Sequence, residues 1–103
     1  MAYAQAMDAL GDPTRRSVLE LLRGGPRSVG EIADELPVSR PAVSQHLRVL
    51  KGAGLVAERK QGTRHLYRVD PDGLAQLREW FEGFWDDALA AFKAAAEQER
   101  SER

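Results

Sequence analysis

The 103-residue chain is 43% hydrophobic and 30% charged with a formal net charge of −1, which bounds it to one domain whose modest core would gain from association with a second copy. It contains no cysteine, which excludes disulfides, thiolate metal ligands and Cys nucleophiles. No apolar run approaches the ~20 residues that cross a bilayer, and MAYAQAMDAL lacks the basic and apolar regions of a secretory signal, so a soluble, cytoplasmic protein without membrane contact is expected.

Residues 2–10 read as a first helix, with Tyr3, Met7 and Leu10 on one side. Asp12-Pro13 opens a second: Asp caps free amides and Pro fits the first helical position. Val18, Leu19, Leu21 and Leu22 form its apolar face, and Gly24-Gly25-Pro26 ends it. Ser28-Val29-Gly30-Glu31 has the spacing of a capping box and starts a third helix. Leu36-Pro37 breaks that helix, because Pro removes an amide and disfavours helix in the residue before it. Ser39 caps a fourth helix over 39–51, with Pro41 in its first turn and Gly52-Ala53-Gly54 at its end. LVAER (55–59) and RHLYRV (64–69) have strand character, and Gln61-Gly62-Thr63 between them reads as a hairpin loop. Asp70-Pro71 opens a last helix over 71–98, weakened slightly by Gly73 and Gly83, and the terminal EQERSER is expected to fray.

Two short helices joined by a tight turn form a helix-turn-helix (28–51), and the β-hairpin after it is a wing (55–69). The expected fold is therefore mainly α with a small β-hairpin: a winged helix-turn-helix in the order α-α-α-α-β-β-α, a single domain over 1–103.

The fourth helix separates two kinds of residue. At about 100° per residue, Val43, Leu47 and Leu50 share one face. Arg40, Pro41, Ser44, Gln45, Arg48 and Lys51 form the outward flank. This is either a solvated helix surface or a helix that reads DNA. A helix fits the major groove, where Arg pairs with guanine, Gln with adenine and Ser with base or phosphate. His46 falls on the inward side and reads as a packed or interface histidine. The charge distribution favours DNA: residues 39–68 hold seven bases against Glu58 alone, whereas residues 69–103 hold four bases against nine acids. A polyanion responds to such a local patch more than to net charge. The wing tip, Lys60-Gln61-Gly62-Thr63-Arg64, is basic and suits the DNA backbone or a narrow minor groove. Arg15, Arg16, Arg27 and Ser28, with the amides at the starts of the second and third helices, are further phosphate candidates. A winged-helix module that binds a protein instead of DNA is the alternative. No nucleophile–base set, Gly-rich phosphate loop or paired acids points to an enzyme.

The last helix carries Leu74, Leu77, Phe81, Phe84, Trp85, Ala88, Leu89 and Phe92 in one stripe. Core and dimer surface are its ordinary meanings, and a ligand pocket around Trp80, Phe81, Phe84 and Trp85 is a third. The stripe exceeds what a domain of this size covers by itself, which favours dimerisation.

ALGDPTRRSVLELL (9–22), VGEIADELPVSRPAVSQHLRVLKGAGLV (29–56) and GTRHLYRV (62–69) together resemble the ArsR/SmtB family of bacterial transcriptional repressors, over roughly residues 4–92. The resemblance implies a homodimer paired through its first and last helices, which assigns Tyr3, Met7, Leu77, Phe81, Phe84, Trp85 and Phe92 to dimerisation. It implies a palindromic operator in double-stranded DNA, read in the major groove by the helix at 39–51, with DNA-contacting positions on Ser39, Arg40, Pro41, Ser44, Gln45 and Arg48 and a wing at 60–64 near the minor groove. Metal-sensing members carry cysteines in the third helix or a His/Asp/Glu set along the last. Here EIADEL has no thiolate, and Glu82, Asp86 and Asp87 have no histidine beside them. Zinc strongly prefers N and S ligands. The chain thus resembles the cysteine-free branch: no metal and no cofactor is expected, a metal-responsive repressor is the lesser alternative, and any small-molecule inducer is left unidentified.

Overall fold

A computed structural model describes residues 2–102. Helix α1 (Ala2–Ala9) leads into α2 (Pro13–Leu21), a 3-10 turn (Leu22–Gly24), α3 (Val29–Glu35), α4 (Arg40–Gly52), β1 (Val56–Gln61), β2 (Arg64–Val69) and α5 (Pro71–Ser101). Local chemistry sets these boundaries. Asp12 Oδ1 accepts from the Thr14 and Arg15 amides at 2.8 and 3.1 Å. The capping box closes both ways, Glu31 N to Ser28 Oγ at 3.2 Å and Ser28 N to Glu31 Oε1 at 3.1 Å. Ser39 Oγ accepts the Ala42 amide at 3.3 Å. Gly54, with φ +79°, turns the chain out of α4 in a conformation that costs an L side chain energy.

The strands pair antiparallel from Val56↔Val69 to Gln61↔Arg64. Their connection is Gly62-Thr63 alone, one residue shorter than the loop expected. Gly62 has φ +64° and no other residue than glycine has positive φ among those described, the pattern of a two-residue turn with Gly first. Arg27 adds a one-residue bridge to the outer edge, its amide and carbonyl both bonded to Tyr67.

The core collects one or more side chains from every helix: Ala6 and Ala9 of α1, Val18 of α2, Leu22, Ile32 of α3, Val43, Leu47 and Leu50 of α4, Leu55, Val56 and Leu77 of α5. Burying an aliphatic of this size contributes about 1.5–3 kcal/mol, so the three from α4 fix that helix firmly on the domain.

Helix α5 departs from expectation in two ways. It continues through Ser101 rather than fraying near 98, with side-chain bonds Gln98–Glu102 and Ser101–Glu97 along its last turns. Its Gly73 is a packing requirement and not merely a weak helix former. A methyl there would overlap the Gly54 carbonyl, and the same approach lets the Asp70 amide donate to Leu55 O at 2.9 Å. Because α5 runs on past the domain, the molecule measures 70 × 25 × 23 Å.

Candidate nucleic-acid interface

Helix α4 carries the site. Val43, Leu47 and Leu50 are each 0% exposed, whereas Arg40, Pro41, Ser44, Gln45, Arg48 and Lys51 are all exposed, as is the capping Ser39. The helix is seated by its aliphatics and presents a continuous polar flank. His46 lies partly buried on the inward side, with Nδ1 enclosed and without a hydrogen-bond partner among the described residues.

The basic groups around this flank differ in how free they are. Arg48 is exposed and unpaired among the described residues. Arg40 turns its guanidinium over α3, where a methyl on Gly30 would stand 3.1 Å from Arg40 Nη2. Lys51 Nζ lies 3.6 Å from Glu58 Oε1, and His65 Nδ1 lies 3.7 Å from Glu58 Oε2. The cross-strand Tyr67 hydroxyl, then the nearby Lys51 and His65, hold the Glu58 carboxyl below the usual carboxylate range. Burial, then the facing Glu58, push the Tyr67 hydroxyl up to about 12. Glu58 thus ties the end of α4 to both strands of the wing.

At the wing tip Lys60 and Thr63 are exposed. Arg64 is engaged: its Nη2 lies 2.6 Å from Glu31 Oε1 of the capping box. A groove of about 480 Å³ between α3, the first turn of α4 and the wing includes Ser28, Glu31, Asp34, Arg40, Arg64 and His65 in its lining.

Two further bases were not singled out from the sequence. The register sets Arg59 and Arg68 as diagonal neighbours on the strand face opposite Val56, Glu58, Tyr67 and Val69. Both are exposed and have no ion pair among the described residues. Period-2 alternation was the signal that could have found them. Conversely, Arg15 and Arg16 are occupied as caps of α1, donating to Ala9 O and Leu10 O, each at 2.7 Å. In this structure both guanidinium groups serve the end of α1.

On the far side, Tyr3 meets Trp80 at a tilt of 33° with ring centroids 6.0 Å apart, and Trp80 meets Phe81 and Phe84 edge-on at 5.0 and 4.6 Å. Tyr3 and Met7 are partly buried in the chain's own packing, and Leu77, expected on a dimer face, is 7% exposed within the core. The cause is position: the first turns of α5 lie against the domain, and only later turns project from it. Phe81, Phe84, Trp85, Leu89 and Phe92 remain 52–75% exposed. As to metals, no three His, Asp or Glu side chains gather to hold an ion among the described residues. His46 lies on α4 and His65 on β2, so the imidazole pair that zinc would favour does not converge with a third ligand.

Residues 12–58 match the family described as bacterial regulatory protein, arsR family. The HTH-type transcriptional regulator Rv2034 of Mycobacterium tuberculosis is 53% identical over 95 residues, covering 92% of this chain and 89% of its own. The chain belongs to the ArsR family. The transcriptional repressor SdpR of Bacillus subtilis, a more distant relative, is 36% identical over 74% of this chain and 84% of its own. A fragment of a Mycobacterium bovis protein, described as a homodimeric winged helix-turn-helix DNA-binding domain of a possible ArsR-family transcriptional regulator, superposes with a TM-score of 0.68 at 32% identity, covering 84% of this chain and 80% of that one. The winged helix-turn-helix expected from the sequence is thus the architecture found, and the ArsR family is one of transcriptional regulators. Among the described residues, no helix is long and apolar enough to cross a membrane.

Proposed function

We propose that this ArsR-family protein is a sequence-specific transcriptional repressor that binds a palindromic operator in double-stranded DNA as a homodimer. The observation that carries the reading is the division of α4 into a fully buried aliphatic face and an exposed Arg/Ser/Gln flank. Ser39, Arg40, Pro41, Ser44, Gln45 and Arg48 face the major groove, with Arg48 and Gln45 as base readers. Lys51, Lys60, Thr63 and Arg64 contact the backbone or the minor groove, joined by Arg59 and Arg68. Phosphate contacts position the protein and base contacts specify the site.

The dimer reading rests on the aromatic face of α5. Phe81, Phe84, Trp85 and Ala88 line a wide, shallow hollow of about 690 Å³, and aromatic residues are enriched where proteins associate. A symmetric pair would set two α4 helices in successive major grooves about 34 Å apart. The protein acts in the cytoplasm, where its operator is.

A gel shift with the DNA upstream of its own gene tests the reading. A retarded band that resists competitor DNA is expected, and no band at low salt would remove the DNA function in favour of a protein-binding module. Release of DNA on adding zinc would make the protein metal-responsive.

A further inference from the structure

The wing arginine is already held by a carboxylate. Arg64 Nη2 and the Ser28 amide both donate to Glu31 Oε1, at 2.6 and 3.1 Å. The Ser28 contacts and the charge of Arg64 hold the Glu31 carboxyl below the usual carboxylate range, so it stays an anion through the physiological range. The capping box fixes the Glu31 side chain independently of Arg64. The carboxylate is therefore a pre-placed anion, and an arginine meets a carboxylate and a phosphate with the same N–H geometry. Arg59, Lys60 and Arg68, the other bases of the wing, have no such partner among the described residues.

We propose that Glu31 is a positioning residue for the wing: it stands in for phosphate, holding Arg64 against α3 until DNA displaces it. The inference rests on the DNA-binding reading above and adds to it that wing engagement is an exchange of one anion for another. The partners are 61% and 48% exposed. A pair so open to water is weak, which sets the size of the effect: a graded restraint of up to about five-fold in affinity, not an on–off gate.

Glu31→Gln separates the two roles of the side chain, because Gln also serves in a capping box but carries no charge. At low salt the variant is expected to bind an operator duplex about two- to five-fold more tightly than wild type. In an Arg64→Ala background the same substitution should change affinity little. Unchanged or weaker binding by Glu31→Gln would overturn the proposal. So would an equal gain without Arg64, which would show a general charge effect. An arm that needs no variant follows the Arg64 guanidinium resonance by NMR in the wild-type protein. In the free state it should exchange with solvent more slowly than that of Arg59 and it should shift as duplex is added, and a signal already as free as that of Arg59 would overturn the latch. Wild-type protein that binds no DNA would remove the functional reading and this one with it, whereas binding without the Glu31→Gln gain removes this one alone.

Discussion

At the scale of single residues, two side-chain positions carry opposite kinds of information. Arg48 is exposed, unpaired among the described residues and on a helix whose other face is rigidly seated. Arg48→Ala should therefore leave the fold intact, weaken operator binding by about 1–3 kcal/mol and relax the preference at one base pair. Binding to an operator series with single base changes, set against random DNA, checks this; equal losses on both would reduce Arg48 to a phosphate contact. Gly73 acts on the fold instead. A methyl at this position would strike the Gly54 backbone, which has no flexible end to move aside. Gly73→Ala is expected to destabilise by about 1–3 kcal/mol in denaturant unfolding, despite the better helix propensity of Ala. The polar flank of α4 was legible in the sequence because helical periodicity sorts its residues by itself. The engagement of Arg64 was not, since Glu31 lies 33 positions away and only the tertiary fold brings the two together. The importance of Gly73 was hidden for the same reason: its neighbour is backbone from another part of the chain.

At the scale of elements, boundaries that depend on neighbouring residues were readable, and those that depend on packing were less so. The caps at Asp12, Ser28 and Ser39 work within three residues and appear as expected. The wing gained ordered residues near its tip because cross-strand pairing continues to Gln61↔Arg64, which no local pattern specifies. Its attachment also has a pH signature. Burial, then the facing Glu58, push the Tyr67 hydroxyl from its ordinary 10.0 up to about 12. The folded state holds this proton more tightly than the unfolded chain does, so its contribution to stability is fully present below pH 10 and is lost as pH rises toward 12. The carboxyl of Glu58 is shifted down, so its contribution is present above the ordinary carboxylate range and lost on acidification. Tyr67→Phe, which cannot ionise, is expected to flatten the alkaline part of a stability-versus-pH curve and, by removing the hydroxyl that does most to hold the Glu58 carboxyl down, to shrink the acid limb as well. Identical alkaline limbs in the two proteins would show that Tyr67 does not hold its proton in the fold.

At the scale of the whole molecule, the basic half and the apolar arm are physically separate. The seven bases of residues 39–68 lie on α4 and the wing, while the aromatic face lies on α5, which extends beyond the domain to give the 70 Å long axis. An apolar face of this kind left in water is unfavourable for a monomer, and under the proposed homodimer a second copy of the same face would cover it with twofold symmetry. Trp85 is the residue with which to test this. It is 67% exposed and absent from the core, so Trp85→Glu should preserve the fold while placing a charge in the middle of the contact. Burying an unpaired carboxylate is costly enough to separate the copies. Sedimentation velocity should then report a monomer. Operator affinity should fall by about 10²–10⁴-fold, the gain that two linked half-site contacts have over one. Binding to a single half-site should be nearly unchanged, because each α4 is held by its own domain. A Trp85→Glu protein that remained dimeric with wild-type operator binding would move the interface elsewhere on the molecule.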